Sequence, residues 1–273
     1  MKLAFCTCVE LGLSCIKKVY SLGGKFDLLI TLEDNLATKK SGRVYLDEIA
    51  EKNNANLMKI NHINDEVAIK TIKSHNIDWL FLIGWSQIAN TNVLKSCNNG
   101  VIGAHPTLLP RGRGRAAIPW AIIKGLNNTG VTFFKMDEGV DTGNILGQNE
   151  IKIDKHENAT TLYKKVNDAH IELIKEVWNK INDNSLIEIM QDEKKSTYWN
   201  GRKPSDGEIF PFKMNVNEID RLVRATTKPY PGAFILSNES KIIIWEGKKG
   251  IVPNGIKIKC LDGYFTATNY KKI

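Results

Sequence analysis

The stretch Gly100-Val101-Ile102-Gly103-Ala104-His105-Pro106-Thr107-Leu108-Leu109-Pro110-Arg111-Gly112-Arg113-Gly114-Arg115 decides the fold. Its first six residues are small or apolar and end on a histidine followed by proline. Such a run reads as a buried strand that holds its last residue at a fixed end. Its last five residues put three arginines on flexible backbone, directly ahead of a helical segment, Ala116 to Lys124. Arginines and helix N-termini both suit anions. Thr129 to Met136 then reads as a strand leading into a glycine-bearing loop with Asp137, Glu138 and Asp141. A carboxylate that reaches a histidine can orient it for general acid–base work. Each feature alone also has an ordinary structural reading: a packed strand-end histidine, a solvated acidic turn, a surface Arg-Gly loop.

Upstream, the same alternation repeats. Leu3 to Thr7, Asp27 to Leu32, Leu57 to Ile60 and Asp78 to Gly84 read as strands. Between them, Leu11 to Leu22, Val44 to Lys52 and Glu66 to Ser74 carry apolar residues at helical spacing. Strands separated by helices of this length predict an α/β fold: a Rossmann-like open, mostly parallel twisted sheet with flanking helices. Ligands in such sheets bind outside the carboxyl ends of the strands, where His105 and the loop after Gly84 fall. Downstream, Asn144 to Ile153 reads as a strand and Asn158 to Ile181 as a long amphipathic helix. Lys194 to Pro211 is polar and rich in turn residues, Ile219 to Thr226 reads as a short helix, and the last 40 or so residues alternate as small β structure does. The expected domains are 1–190, catalytic, and 191–273, small and mostly β.

The 273 residues carry 38 basic and 30 acidic side chains, a net charge of +8 that favours anionic partners. The lysines are scattered and form no basic arm, which makes nucleic acid a weaker expectation than a nucleotide-linked small molecule. No apolar run approaches the roughly 20 residues of a membrane span, and the first residues lack the apolar core of a signal peptide. With five cysteines, an odd count, the expectation is reduced thiols in the cytoplasm. Cys6 and Cys8 alternate along a strand with no second ligand pair nearby, so no metal is expected.

The decisive stretch resembles the folate-dependent formyltransferases, which include methionyl-tRNA, glycinamide ribonucleotide and sugar N-formyltransferases. His105-Pro106-Thr107-Leu108-Leu109-Pro110, Arg113-Gly114 and Asp141-Thr142-Gly143 match the family pattern, and Thr160 to Val177 and Arg224 to Phe234 extend the likeness over most of the chain. The resemblance implies His105 and Asp141 as the catalytic pair and 10-formyltetrahydrofolate as cosubstrate, without a metal. It places the pterin at Ile83, Gly84, Trp85, Gln87 and Ile88, with Val140 and Asp141 beside it. One position departs: the family's asparagine falls on Gly103, so the side-chain amide that holds the carbonyl oxygen is missing.

For the acceptor, Ser196 to Glu208 and the Arg113-Gly114-Arg115 turn resemble sugar formyltransferases, above all those acting on a 4-amino sugar. The short C-terminal region also favours them over methionyl-tRNA formyltransferase, the alternative, and a folate-binding homologue without turnover is the second alternative. The implied substrate is a UDP- or dTDP-linked amino-deoxysugar destined for a bacterial surface glycan. Its expected contacts are Glu10, Thr107, Arg113, Gly114, Arg115, Trp199, Arg202, Arg224 and Tyr230. The apolar C-terminal strands offer a surface for a homodimer.

Overall fold

A computed structural model describes residues 1–39, 42–237 and 240–273. Four βα steps open the chain: β1 (Leu3–Cys6), α1 (Glu10–Ser21), β2 (Leu28–Leu32), α2 (Asp47–Lys52), β3 (Asn56–Ile60), α3 (Glu66–Ser74), β4 (Trp79–Leu82) and α4 (Thr91–Leu94). β5 (Gly100–His105), β6 (Arg113–Gly114), α5 (Ala117–Ile123), β7 (Asn128–Lys135), β8 (Ile145–Lys152) and α6 (Ala159–Asn182) follow. The main sheet runs β3-β2-β1-β4-β5-β7-β8. Its first five strands are parallel, and β7 is antiparallel to β5 with His105 opposite Thr132.

Alternation assigns the two faces of this sheet. Ala4, Cys6, Leu80 and Leu82 enter one core with Ile63, Ile72 and Val93. Phe5 and Phe81 point the other way and stack at 5.7 Å, with Phe26 edge-on to Phe5 at 5.3 Å. Full burial of each such ring contributes about 1.5–3 kcal/mol. Successive strands step outward from β1 on one side and from β4 on the other, so the order reverses between them. Open α/β sheets characteristically bind ligands at such a reversal, outside the carboxyl ends of the strands. Gly84 sits there at φ +68, and a Cβ on it would lie 2.4 Å from Val9 Cγ2, so only glycine fits.

The expected helix over Val44 to Lys52 begins instead at Asp47. Val44 N donates to Cys8 O (3.0 Å) and Arg43 bridges Val9, so these residues stay extended to close the loop after β1. The later strands are β9 (Tyr198–Trp199), β10 (Ala233–Ser237), β11 (Ser240–Lys249), β12 (Ile256–Lys259) and β13 (Tyr264–Lys272), with α7 (Val216–Thr226) before β10. The last four form an antiparallel sheet in the order β10-β11-β13-β12. Its core joins Ile219, Leu222 and Val223 of α7 to Ile244, Ile258 and Phe265. α7 starts three residues ahead of the expected Ile219. Asn215 accepts from Glu218 N (2.9 Å) while the Glu218 carboxylate accepts from Asn215 N (2.8 Å). This capping box stabilises the start by about 1 kcal/mol.

The chain packs as two units. The first holds Met1–Arg113, Gly130–Asn149 and Asn167–Thr197; the second holds Gly114–Thr129, Glu150–Val166 and Tyr198–Ile273. The second therefore draws α5 and the start of α6 from the region read in the sequence as the catalytic domain. Among the described residues, no helix is long and apolar enough to cross a membrane.

Candidate active site

His105 ends β5, the strand whose Gly103 and His105 share one face. Its ring is almost fully buried, and both nitrogens face oxygen: Nε2 lies 2.7 Å from Gly112 O and Nδ1 3.4 Å from Asp141 Oδ2. A carbonyl only accepts, so Nε2 carries a proton. Nδ1 and the carboxylate are then the two ends between which a second proton can move.

Asp141 reaches this place through a constrained loop. It has φ +57, a left-handed conformation that aspartate tolerates better than most residues. Asp137 shapes the turn ahead of it by accepting from Gly139 N (3.1 Å) and Thr142 Oγ1 (2.6 Å). Gly143 follows, where a Cβ would fall 1.7 Å from Lys135 O. The loop is fastened from below by Gln191, whose Nε2 donates to Asp141 O (2.9 Å) and Gly143 O (2.8 Å). Gln191 Oε1 in turn accepts from Arg113 Nε (3.2 Å) and Nη2 (2.8 Å). Glu193 completes the chain of contacts, taking Arg113 Nη1 at 2.9 Å and Nη2 at 2.5 Å. The guanidinium holds the Glu193 carboxyl below the usual carboxylate range.

Arg113 is thus a correction. Expected at the substrate, it has no exposed surface, and its charge is turned onto Gln191 and Glu193. A side chain in that position supports the site instead of meeting a ligand. Thr107 is also buried; its carbonyl accepts from Thr132 Oγ1 (2.7 Å), while its own Oγ1 has no hydrogen-bond partner. Gln87 differs from its expected role too. Its Oε1 accepts from Ile63 N (2.9 Å) and Trp85 Nε1 (3.2 Å), and its Nε2 donates to Asn61 O (2.8 Å). It staples the loop that presents the neighbouring backbone. Trp85 packs half-buried on the core, Ile83 is buried, and Ile88 stands 80% exposed. Val140, on the acidic loop, is 57% exposed. Thr91 Oγ1 donates to Glu138 (2.9 Å) and ties the two loops together. Two bare aliphatic side chains on loops tied to each other, one of them stapled by Gln87, suit a flat heteroaromatic ring with a hydrogen-bonding edge. Glu10 opens α1 at the same end of the sheet and accepts from Ser14 (3.1 Å).

The place of the missing asparagine is filled. A Cβ on Gly103 would meet Met136 Cγ at 2.9 Å and Phe134 Cζ at 3.0 Å. The nearest atoms to that position all belong to the apolar side chains of Met136 and Phe134.

The other expected contacts lie in the second unit. Gly114 (φ +104) lets β6 close on β9, where a Cβ would stand 2.4 Å from Trp199 O, and Arg115 N donates to the same carbonyl (3.0 Å). The Arg202 guanidinium lies over the Trp120 ring at 4.9 Å and donates to Asp206 O (2.6 Å). Arg115, Arg202 and Lys203 border a cavity of about 500 Å³ with Asp206 as the one acid among its lining residues. Tyr230 Oη pairs with Tyr163 Oη (3.0 Å), and burial pushes its phenol up, so it stays neutral. Arg224 is taken by Asp220 (3.0 and 2.9 Å) and by the Glu157 carbonyl.

A strand-end histidine and a clamped carboxylate at the rim of an open α/β sheet define a group-transfer enzyme domain. The chain belongs to the formyl transferase family, whose model matches residues 27–178, with the formyl transferase C-terminal domain matching 202–266. It is 32% identical over 241 residues to the bifunctional polymyxin resistance protein ArnA of Wigglesworthia glossinidia brevipalpis, covering 87% of this chain and 36% of that protein. It therefore spans about a third of that relative's length. The methionyl-tRNA formyltransferase of Lachnospira eligens is 25% identical over 90% of this chain and 78% of its own. Among solved structures, the N-formyltransferase of Helicobacter canadensis in complex with folinic acid and dTDP-3-aminofucose superposes with a TM-score of 0.74 at 18% identity, covering 99% of this chain and 100% of that one.

Proposed function

We propose that this chain moves a formyl group from 10-formyltetrahydrofolate to the amine of a UDP- or dTDP-linked amino-deoxysugar used in a bacterial surface glycan. The observation that carries the reading is the buried His105–Asp141 couple, 3.4 Å apart at the strand end of a formyl transferase domain. The crystallised relative that holds folinic acid and a dTDP-amino sugar supports the choice of both substrates. The folate supplies the activated formyl group when bound.

The amine must attack as the neutral base, so its proton needs an acceptor. Asp141, partly exposed beside the buried ring, accepts it and passes it to the leaving nitrogen. His105, anchored through Nε2–H to the Gly112 carbonyl, holds the Asp141 carboxylate in register through Nδ1. Arg115, Arg202 and Lys203 receive the pyrophosphate, and their cavity carries the cationic excess such a group requires.

The deciding experiment incubates the protein with 10-formyltetrahydrofolate and a panel of UDP- and dTDP-linked 3-amino and 4-amino sugars. Formylated sugar is expected with wild type and not with His105→Ala, assayed below its own melting temperature because the buried ring is lost from its contacts with Gly112 and Asp141. Formylation of charged initiator tRNA, with no sugar turned over, would transfer the activity to the rival acceptor. Turnover of neither acceptor would leave a folate-binding protein.

A further inference from the structure

A cavity of about 740 Å³ lies wholly within the second unit, and neither His105 nor Asp141 borders it. One wall is the polar face of α7. Asn217, Asp220, Arg221 and Arg224 recur there at helical spacing, while Ile219, Leu222 and Val223 turn to the core. Trp245 and Lys248 on β11 and Lys155 between β8 and α6 supply other walls.

Pairing off the charges leaves a positive residue. Asp220 is held by Arg224 (2.9 Å) and approached by Lys249 (3.8 Å), and Asp154 is held by Lys165 (2.6 Å). Glu246, the third acid of the lining, accepts from Asn269 (3.3 Å). Lys155, Arg221 and Lys248 enter no ion pair among the described residues. Arg221 Nε is, in addition, buried without a hydrogen-bond partner. Gly125, at φ +64, lets the chain run close by: a Cβ there would be 3.3 Å from Nη1. The half-buried guanidinium is therefore held at the cavity wall with no acidic partner among the described residues, and an anion in the cavity would supply one.

We propose that this cavity binds a nucleoside diphosphate, with its phosphates on Arg221, Lys155 and Lys248 and its base against the Trp245 indole. A planar guanidinium matches phosphate oxygens in pairs, and lysines add point charge. An indole face takes a planar base. The volume falls in the range of sites for ligands of that size, roughly 300–1,000 Å³. A strand of nucleic acid fits less well, because acids interrupt the cations and leave no continuous track for a backbone. The site is separate from the cavity of Arg115 and Arg202, so it stands whether or not the sugar assignment does.

The test is a fluorescence and calorimetric titration of the full chain with UDP, ADP and inorganic pyrophosphate. Wild type binds the nucleotides with a change in tryptophan emission, and pyrophosphate competes for the site. Arg221→Ala weakens this binding about tenfold or more, as loss of a charged hydrogen bond should. Arg221→Lys, which keeps the charge and the helix face, weakens it less. Trp245→Phe removes the emission change. All three variants keep the wild-type rate of formyl transfer. Nucleotide affinity untouched by Arg221→Ala and Arg221→Lys, or an emission change that survives Trp245→Phe, overturns the assignment, as does the absence of any nucleotide binding. Failure of every amino sugar as acceptor leaves this titration readable, so the two outcomes separate.

Discussion

Gln191→Leu tests whether the buried contacts beneath Asp141 hold the catalytic geometry. The replacement has nearly the same volume and no polar atoms. It removes both donors to the 141–143 backbone, leaving the buried carbonyl of Gly143 and the less buried one of Asp141 without them. It also strips Arg113 Nε of its Gln191 acceptor, while Nη1 and Nη2 keep Glu193. Each buried group that loses its Gln191 contact costs about 1–3 kcal/mol. Two such groups, partly relaxed, put the loss at about 3 kcal/mol, or a fall in Tm on the order of 6–12 °C for a chain of this size.

Catalysis should suffer beyond stability. Asp141 is held at φ +57, and a non-glycine residue there carries a conformational cost of order 1 kcal/mol or more. Freed from Gln191, the loop relaxes and the His105–Asp141 couple opens from its 3.4 Å separation. The expected signature is a lower kcat with an unchanged KM for whichever acceptor the protein formylates. Gln191→Glu divides the two effects: its carboxylate still pairs with Arg113 but donates nothing to the loop carbonyls. Stability should return in part while kcat stays low. Urea unfolding and steady-state formyl transfer on wild type and both variants measure this. A Gln191→Leu protein within about 0.5 kcal/mol of wild type, the range of an ordinary surface substitution, and with an unchanged kcat, would refute the reasoning.

Asp141→Asn should keep the fold, since asparagine tolerates the left-handed region, yet lower kcat about 100-fold or more; Asp141→Val should add a measurable loss of stability in urea. Gly103→Asn should destabilise by about 1–3 kcal/mol because Met136 and Phe134 occupy the space, and Gly103→Asn with Met136→Ala should recover stability and turn over at or above the wild-type rate. Glu193 has a folded pKa below its unfolded one through the Arg113 hydrogen bond, so its contribution is complete above the unfolded carboxylate value and disappears as pH falls through the folded one. Thermal melts of wild type and Glu193→Gln should therefore differ at neutral pH and converge in acid; a constant difference would assign the effect to something other than this ionisation.

The fold was legible because its signals are local. Short apolar runs between amphipathic segments mark the five parallel strands, and two longer stretches mark β7 and β8, within a residue or two at each end. Errors fell where a tertiary partner or a cap decides. Val44 looks helical in its own window but is held extended by Cys8 O. The start of α7 lies outside its apolar stripe, because the cap, Asn215 with Glu218, is polar and precedes the first buried residue. Unit membership escaped for a different reason: α5 is adjacent in sequence to β5 but packs on α7, and no periodicity records that choice.

In the site, sequence could name the pair but not what supports it. His105 and Asp141 carry a signal because their residue types and spacing match a family pattern; Gln191 has none, being an ordinary glutamine 50 residues from the backbone it binds. Arg113 shows how residue type alone misleads. An arginine in a glycine-flanked turn suits an anionic substrate, and the turn also suits a chain that must fold a guanidinium inward onto Glu193. Gly103 is the complementary case. Its departure from the pattern is visible in sequence, but only the structure shows that apolar neighbours have closed over the gap. Restoring the asparagine alone therefore meets a steric barrier before it meets any substrate. His105 does not take over that amide's place either, since its Nε2–H is held by the Gly112 carbonyl at 2.7 Å and Nδ1 faces Asp141. The turn at Gly112 therefore fixes the ring that faces Asp141, and a change there should be felt at the His105–Asp141 couple.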